Sequence, residues 1–150
     1  MDTQLAVIGG GPGGYAAAFL AADLGMNVTL VDVEPRLGGV CLLRGCIPSK
    51  ALLHVAKAMA EVDELASWGV EFGEPTIDVD KVRARKEKVV STLTGGLKQL
   101  AKKRKVNVVR ARGTFQDSRT LKLHAVGEDQ PDDDALRFEH CILAAGSCSE

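Results

Sequence analysis

The chain has 150 residues and a net charge of −1 at pH 7, with 45% hydrophobic and 26% charged residues. That length fits one domain with a buried core, and the composition is that of an ordinary globular protein. The near-neutral charge gives no electrostatic reason to expect nucleic acid or an anionic membrane as a partner. No apolar run reaches the ~18–20 residues that cross a bilayer, and no basic segment marks a signal peptide. We therefore expect a cytoplasmic protein with neither partner.

The first part of the chain predicts a βαβ unit. Residues 5–8 are a short apolar run, typical of a buried parallel strand. Residues 15–24 are alanine-rich and stop at Gly25, which predicts a helix with a glycine cap. Residues 27–33 are apolar and β-branched, which predicts a second strand that carries Asp32 at its end.

Two helices are predicted in the middle of the chain. Residues 48–66 have a strong helical pattern, and a connector containing glycine and proline follows. Asp78 is suited to cap a long helix over residues 79–105. We expect the pair Gly95-Gly96 to be a weak point or bend in that helix.

The last third of the chain predicts strands. Residues 106–110 form one, and residues 113–126 contain a turn that suggests a hairpin or small β-meander. A polar segment follows at residues 127–135, and residues 136–145 then predict a last apolar strand. Because no helix follows to cover that strand, we expect the chain to be the front part of a longer protein.

A glycine-rich turn lies between the first strand and the first helix. Its spacing, Gly9-x-Gly11-x-x-Gly14, is the dinucleotide fingerprint in its required context. Gly9 permits the tight turn, Gly11 lets the backbone approach a pyrophosphate, and Gly14 lets helix and strand pack closely. The N–H groups of the helix N-terminus favour phosphate binding. Asp32 is expected to accept hydrogen bonds from an adenosine ribose, and Glu34 is the alternative acid.

Cys41 and Cys46 follow the second strand. A helix would hold residues i and i+5 about 8–9 Å apart at Cα, whereas a disulfide needs about 4.4–6.8 Å. A bond between them therefore requires irregular backbone, which Gly45 allows. Pro48 fits the first turn of the next helix, so Cys46 lies at a helix N-terminus, where the thiolate is favoured. We expect Cys46 to be the thiolate near the cofactor and Cys41 the thiol that exchanges with substrate.

Other interpretations of these residues stay open. A zinc site needs about four ligands, and Cys141, Cys148 and the histidines lack that spacing, so we expect no metal. Cys41 and Cys46 could also be inert core residues. Lys50 lies one helical turn after Cys46 and can face the same cofactor, or can be a solvated lysine.

These motifs resemble those of the flavin-dependent pyridine nucleotide–disulfide oxidoreductases. The matching segments are residues 9–14, 37–41 (Leu-Gly-Gly-Val-Cys) and 45–53 (Gly-Cys-Ile-Pro-Ser-Lys-Ala-Leu-Leu), with residues 93–97, 113–115 and 142–147 in the family's order. Within the family, the ending at residues 48–53 is most similar to the members that oxidise dihydrolipoamide. Leu43-Arg44 departs from the common Asn-Val, and Ala145 from the usual threonine.

The resemblance implies a fold and a cofactor. The fold is α/β: a Rossmann-like FAD-binding domain with a parallel sheet, crossover helices and a small β-meander, of which residues 1–150 are the N-terminal part. FAD is the implied bound nucleotide. The implied contacts are Gly9, Gly11 and Gly14 at its pyrophosphate, Asp32 at the ribose, Gly38, Gly39, Val40 and Cys41 towards the flavin, Lys50 near the flavin ring, and Gly113 near the adenine.

The resemblance also implies a reaction and partners. Dihydrolipoamide opens a Cys41–Cys46 disulfide by thiol exchange, and electrons pass to FAD and then as hydride to NAD⁺. The implied partners are lipoyl domains of 2-oxo-acid dehydrogenase or glycine-cleavage complexes, and a second copy in a homodimer. The alternatives are a mercuric-ion or other disulfide reductase, or a non-catalytic FAD-binding fragment.

Parts of the family pattern are missing from these residues. Family members continue into an NAD-binding domain and a C-terminal interface domain, which supplies a His–Glu acid/base pair. None of His54, His124 and His140 matches that histidine. We therefore expect the chain alone to be incomplete for turnover.

Overall fold

Residues 1–147 are the part of the chain that the structure, a computed structural model, describes; Cys148 lies outside it. The strands are β1 (Asp2–Ile8), β2 (Val28–Asp32), β3 (Asn107–Arg110), β4 (Arg112–Asp117), β5 (Thr120–His124) and β6 (Ala135–Leu143). The helices are α1 (Pro12–Asp23), α2 (Gly39–Leu43), α3 (Cys46–Leu65), which runs into a 3₁₀ turn (Ala66–Trp68), and α4 (Val79–Lys103).

The strands form one sheet in the order β3-β2-β1-β6-β5-β4. The first four are mutually parallel, and β6 reaches β1 with Ala6 beside Cys141. The two remaining strands are antiparallel, and β4, β5 and β6 form a meander. The predicted α/β fold with a Rossmann-like parallel sheet and a small meander is confirmed. The carboxyl ends of β1, β2 and β6 meet at one edge of the sheet.

The two faces of the sheet are covered by different elements. On one face, side chains of β1 and β2 pack against α1 and the end of α4; this cluster includes Leu5, Val7, Leu30, Phe19 and Ala101. On the other face, the meander supplies the cover; this cluster includes Ala6, Val31, Leu121, Leu123 and Leu136. Consecutive residues of β1 enter opposite clusters because side chains alternate along a strand. Both faces of the parallel strands are therefore buried, which explains their continuous apolar runs.

The long helix is confirmed. It ends at Lys103, two residues before the approximate end predicted at residue 105, and it continues through Gly95-Gly96, where the expected weak point or bend stays a prediction. Each glycine costs a helix up to about 1 kcal/mol relative to alanine. Buried side chains on both sides of the pair, Val90 and Ala101, anchor α4, and such tertiary packing outweighs the propensity cost.

The helix ends early because the chain turns at Lys105, which has φ of 57°. Its N–H donates to the carbonyl oxygen of Lys102 at 3.1 Å, and the Val106 N–H donates to that of Ala101 at 3.0 Å. This hydrogen-bond pair is the Schellman motif. The same pattern ends α1 at Gly25, as the sequence predicted. In α4, however, a residue with a side chain occupies the left-handed position.

One helical stretch in the described residues, Gly39–Trp68, is by length and composition alone long and apolar enough to cross a membrane. Core helices of water-soluble proteins can have the same length and composition. The stretch is not one continuous helix, because Arg44 and Gly45 separate α2 from α3. The absence of a membrane partner therefore stays a prediction.

We expect Lys105→Gly to stabilise the protein by about 0.5–1 kcal/mol, because glycine adopts positive φ without the steric cost of a Cβ. Urea unfolding monitored by circular dichroism measures the change. Lys102→Gly, in the last turn of the same helix, is the control and should destabilise. A loss of stability in Lys105→Gly would contradict this account of the helix end.

We expect Asp78→Ala to lower the melting temperature at pH 7 by about 2–4 °C. The Asp78 carboxylate accepts the Lys81 backbone N–H at 3.0 Å, which confirms the predicted cap. That hydrogen bond, and then the Lys81 ammonium, hold the pKa of Asp78 below its ordinary value. The cap therefore stabilises the folded state above pH 4 and is lost as the pH falls through the folded-state pKa. The melting temperatures of both proteins should differ at pH 7, and the difference should shrink as the pH falls below about 4.

Candidate functional site

A cleft of about 560 Å³ opens at the carboxyl ends of β1, β2 and β6. Three chain segments line it, namely residues 9–13, 32–34 and 144–147, together with Gly39, Val40, Cys41 and Arg44. The carboxyl edge of parallel strands is where open α/β sheets bind ligands, because the connections diverge there. This position makes the cleft the candidate site.

A larger hollow of about 810 Å³ lies between α3 and the connector that follows it. Its lining is mostly apolar, with Met59, Val62 and Phe72 among its residues. Neither the glycine-rich turn nor the cysteine pair reaches it. The smaller cleft, not the larger hollow, is therefore the candidate site, because it contains the glycine-rich turn and Cys41.

Close packing of backbone shapes the glycine-rich turn. Gly9 has φ of 104°, and a Cβ there would overlap the Ala144 carbonyl oxygen at the end of β6. A Cβ on Gly14 would overlap the carbonyl oxygen of Gly9. The turn therefore lies directly against both α1 and β6, with no room for side chains on those two residues.

The start of α2 rests on the same turn. The Gly38 N–H donates to the Gly10 carbonyl oxygen at 2.8 Å. Gly39 has φ of 59°, and a Cβ on it would lie 2.6 Å from the Cα of Gly11. This backbone-to-backbone contact brings α2, and with it Cys41, to the cleft.

The N-terminus of α1 offers unpaired donors to the cleft. Gly11 is its N-cap residue, Pro12 and Gly13 follow, and all three line the cleft. No side chain caps this end of the helix. The N–H groups of a first turn, together with the helix dipole, favour a phosphate at such a position.

The Asp32 carboxylate joins two segments of the cleft. Its Oδ2 accepts the Gly10 N–H at 2.5 Å, and its Oδ1 accepts the Glu34 N–H at 3.0 Å. A carboxylate has about four acceptor positions, so each oxygen can still accept a hydrogen bond from a sugar hydroxyl. Asp32 therefore fixes the glycine-rich turn while it remains available to a ligand.

The two cysteines lie on either side of a break between helices. Cys41 belongs to α2 and lines the cleft, whereas Cys46 is the first residue of α3 and is exposed. Between them, Gly45 has φ of −121° and ψ of −106°, outside the regions that other residues favour. Both are free thiols in this structure.

The environment of Cys41 differs from that of an isolated thiol. Its pKa is raised because it is hydrogen-bonded to Cys46, and partial desolvation adds to the rise. The positive charge of Lys50 acts in the opposite direction. Cys41 therefore keeps its proton to higher pH than a free cysteine, and its sulfur lies within hydrogen-bond reach of Cys46. The assignment of Cys46 as the reactive thiolate stays a prediction.

The structure brings some of the predicted site residues together. Those that line the cleft are Gly9, Gly11, Asp32, Gly39, Val40 and Cys41. Gly14 and Gly38 are buried beside it. Lys50 lies on α3 outside the lining, and Gly113 packs against Leu121 and Val31 instead.

Sequence reasoning did not assign residues 144–147, Glu34 or Arg44 to the site, although all of them line it. From the sequence, Glu34 is only an alternative acid for the ribose, and Arg44 is only a departure from the family pattern. The sequence signal for residues 144–147 is that they lie at the end of the last predicted strand, and ligands bind at the carboxyl ends of parallel strands. Cys141, which lies on β6, is half-buried, and desolvation raises the pKa of its thiol.

We expect Gly39→Ala to destabilise the protein by about 1–3 kcal/mol, because the new methyl group would press on the backbone of Gly11 at a positive φ. Gly73→Ala is the control, since a Cβ on Gly73 meets nothing within 4 Å. Urea unfolding of both variants measures the difference. Equal stability of the two variants would contradict the contact between α2 and the glycine-rich turn.

Comparison with known proteins agrees with this geometry. The family model described as pyridine nucleotide-disulphide oxidoreductase matches residues 3–150. The chain is 50% identical over 147 residues to a dihydrolipoyl dehydrogenase of Vibrio cholerae and 51% identical over 148 residues to one of Haemophilus influenzae, covering 98% of this chain in each case. It spans about 30% of the length of these relatives. The chain belongs to the pyridine nucleotide-disulphide oxidoreductase family.

Proposed function

We propose that this chain supplies the FAD-binding cleft and the redox-active cysteine pair of a dihydrolipoamide dehydrogenase. The observation that carries the proposal is the position of Cys41, which lines the cleft beside the glycine-rich turn, with Cys46 following directly after the Gly45 joint at the start of α3. A nucleotide cleft and a cysteine pair in contact are the two parts that electron transfer between a flavin and a disulfide requires. The names of the relatives support dihydrolipoamide as the dithiol.

The residues of the cleft fit a dinucleotide. Its volume lies within the ~300–1,000 Å³ range of small-molecule sites. The uncapped N-terminus of α1 suits a pyrophosphate, with Gly9 and Gly11 below it, and Asp32 suits a ribose. Members of this family use flavin and nicotinamide cofactors, and we assign FAD to this cleft. When bound, FAD supplies the acceptor for two electrons, which leave to NAD⁺.

The two sulfurs have different tasks in this proposal. In the oxidised pair, a substrate thiolate attacks the Cys41 sulfur and breaks the bond to Cys46, which leaves as a thiolate. The second substrate thiol then displaces Cys41, so that dihydrolipoamide becomes a cyclic disulfide and the pair is reduced. The raised pKa of Cys41 favours its thiol form in the reduced pair.

Two residue contacts, the partners and the compartment belong to the same proposal. Lys50, which acts electrostatically on Cys41, lies near the flavin ring, and the backbone of Gly113 lies near the adenine. The partners are lipoyl domains of 2-oxo-acid dehydrogenase or glycine-cleavage complexes, and a second copy of the protein. The compartment is the cytoplasm.

We expect Cys46→Ser to abolish the long-wavelength absorbance between thiolate and flavin in the full-length, FAD-loaded protein, whereas Cys41→Ser keeps a form of it. The reason is that only the sulfur against the flavin can share charge with it. Absorbance spectra recorded during titration with dihydrolipoamide measure the effect, and the wild-type protein should bleach. Cys141→Ser, a cysteine outside the pair, is the control and should behave as wild type.

Identical spectra for Cys41→Ser and Cys46→Ser would overturn the division of tasks between the two sulfurs. A wild-type protein that binds FAD but does not bleach with dihydrolipoamide would overturn the choice of substrate. A protein that binds no FAD would overturn the proposal as a whole.

A further inference from the structure

A salt bridge joins the end of β2 to the segment between the two cysteines. Arg44 Nη2 lies 2.7 Å from Glu34 Oε1, and both residues line the cleft. The Glu34 side chain is only 26% exposed. Four other salt bridges in the described residues join near neighbours at or within one helix: Lys57–Glu61, Lys81–Asp78, Arg83–Asp80 and Lys86–Glu87. Three more join remote segments outside the cleft lining: Met1–Asp133, Arg104–Asp23 and Arg110–Asp129. The Glu34–Arg44 pair instead joins two segments across the cleft.

Glu34 is held in place from the side of the glycine-rich turn. Its backbone N–H donates to Asp32 Oδ1, while Asp32 Oδ2 accepts the Gly10 N–H. One carboxylate therefore sets both the turn and the residue that reaches Arg44. A shift of the turn would be passed to Glu34 through these two hydrogen bonds.

Arg44 lies directly before the Gly45 joint, where fixing its side chain restricts the position of Cys41 relative to Cys46. It caps α2, where its N–H donates to the Val40 carbonyl oxygen at 2.9 Å. Gly45 follows as the irregular joint, and Cys46 begins α3. A glycine joint has the largest conformational freedom to lose, so a contact beside it restricts the relative position of Cys41 and Cys46 strongly.

We propose that Glu34, acting through Arg44, is a positioning residue for the cysteine pair: the salt bridge holds the α2–α3 joint against the cleft and couples nucleotide binding to the reactivity of Cys41. The inference rests on the proposed function for the identity of the nucleotide. The salt bridge itself consists only of residues of this chain.

The test is a charge-reversal cycle in the full-length protein. The variants are Glu34→Gln, Arg44→Gln, and the double variant Glu34→Arg with Arg44→Glu, which restores the pair in reverse. Mass spectrometry follows the alkylation of Cys41 by iodoacetamide in the reduced protein, with and without added FAD. Glu61→Gln, which removes a salt bridge on α3 away from the cleft, is the matched control.

FAD should slow the alkylation of Cys41 in the wild-type protein, because Cys41 lines the cleft. We expect this protection factor to fall about two- to fivefold in each single variant, the range of a partly exposed ion pair. The double variant should regain most of it, and Glu61→Gln should keep all of it. Arg44→Lys, which keeps the charge, should lie between wild type and Arg44→Gln.

Unchanged protection in both single variants would overturn the inference, as would a double variant that is no better than the singles. Failure of the proposed function has a different signature, because wild-type protein would then show no protection by FAD. In that case the rates of Cys41 alkylation without FAD test the positioning role. The single variants must then differ from wild type in this rate, and the rate of the double variant must return towards that of wild type. Thermal unfolding of each variant confirms that the rates refer to folded protein.

Discussion

The arrangement of the site depends on the contact between two stretches of bare backbone, the glycine-rich turn and the start of α2. Gly11 and Gly39 approach so closely that a single methyl group would separate them. It is Gly39 that must lack a side chain, because a Cβ on Gly39 would lie 2.6 Å from the Gly11 Cα, whereas a Cβ on Gly11 would lie at an ordinary contact distance of 3.8 Å from the Gly39 Cα. The cysteine pair, the cleft and the salt bridge across it are all positioned relative to this contact.

Asp32 is the electrostatic counterpart of that contact. By accepting N–H groups from Gly10 and Glu34, it ties the end of β2 to the turn after β1. Hydrogen bonds to a charged acceptor are stronger than those between neutral groups. The walls of the cleft are thus held by the protein's own groups, which spares a ligand the cost of ordering them.

The meander and the helices have complementary tasks in the fold. Parallel strands must be covered on both faces. Here α1 and α4 cover one face, while side chains of β5 and β6, with Ala111, cover the other. The cleft remains open because neither cover extends over the carboxyl ends of β1, β2 and β6. The α3 helix takes no part in either core, since none of its residues is buried.

The sequence by itself determined the order and type of the elements, the two motifs and the family. Apolar runs, Gly25, Asp78 and the glycine spacing act locally, so their effects can be predicted from neighbouring residues. The tertiary structure decided which segments meet. The bounds of α4, the cleft lining by residues 144–147 and the Glu34–Arg44 salt bridge all depend on residues far apart in the chain. No local pattern encodes such contacts, because the packing of the sheet and its covers creates them.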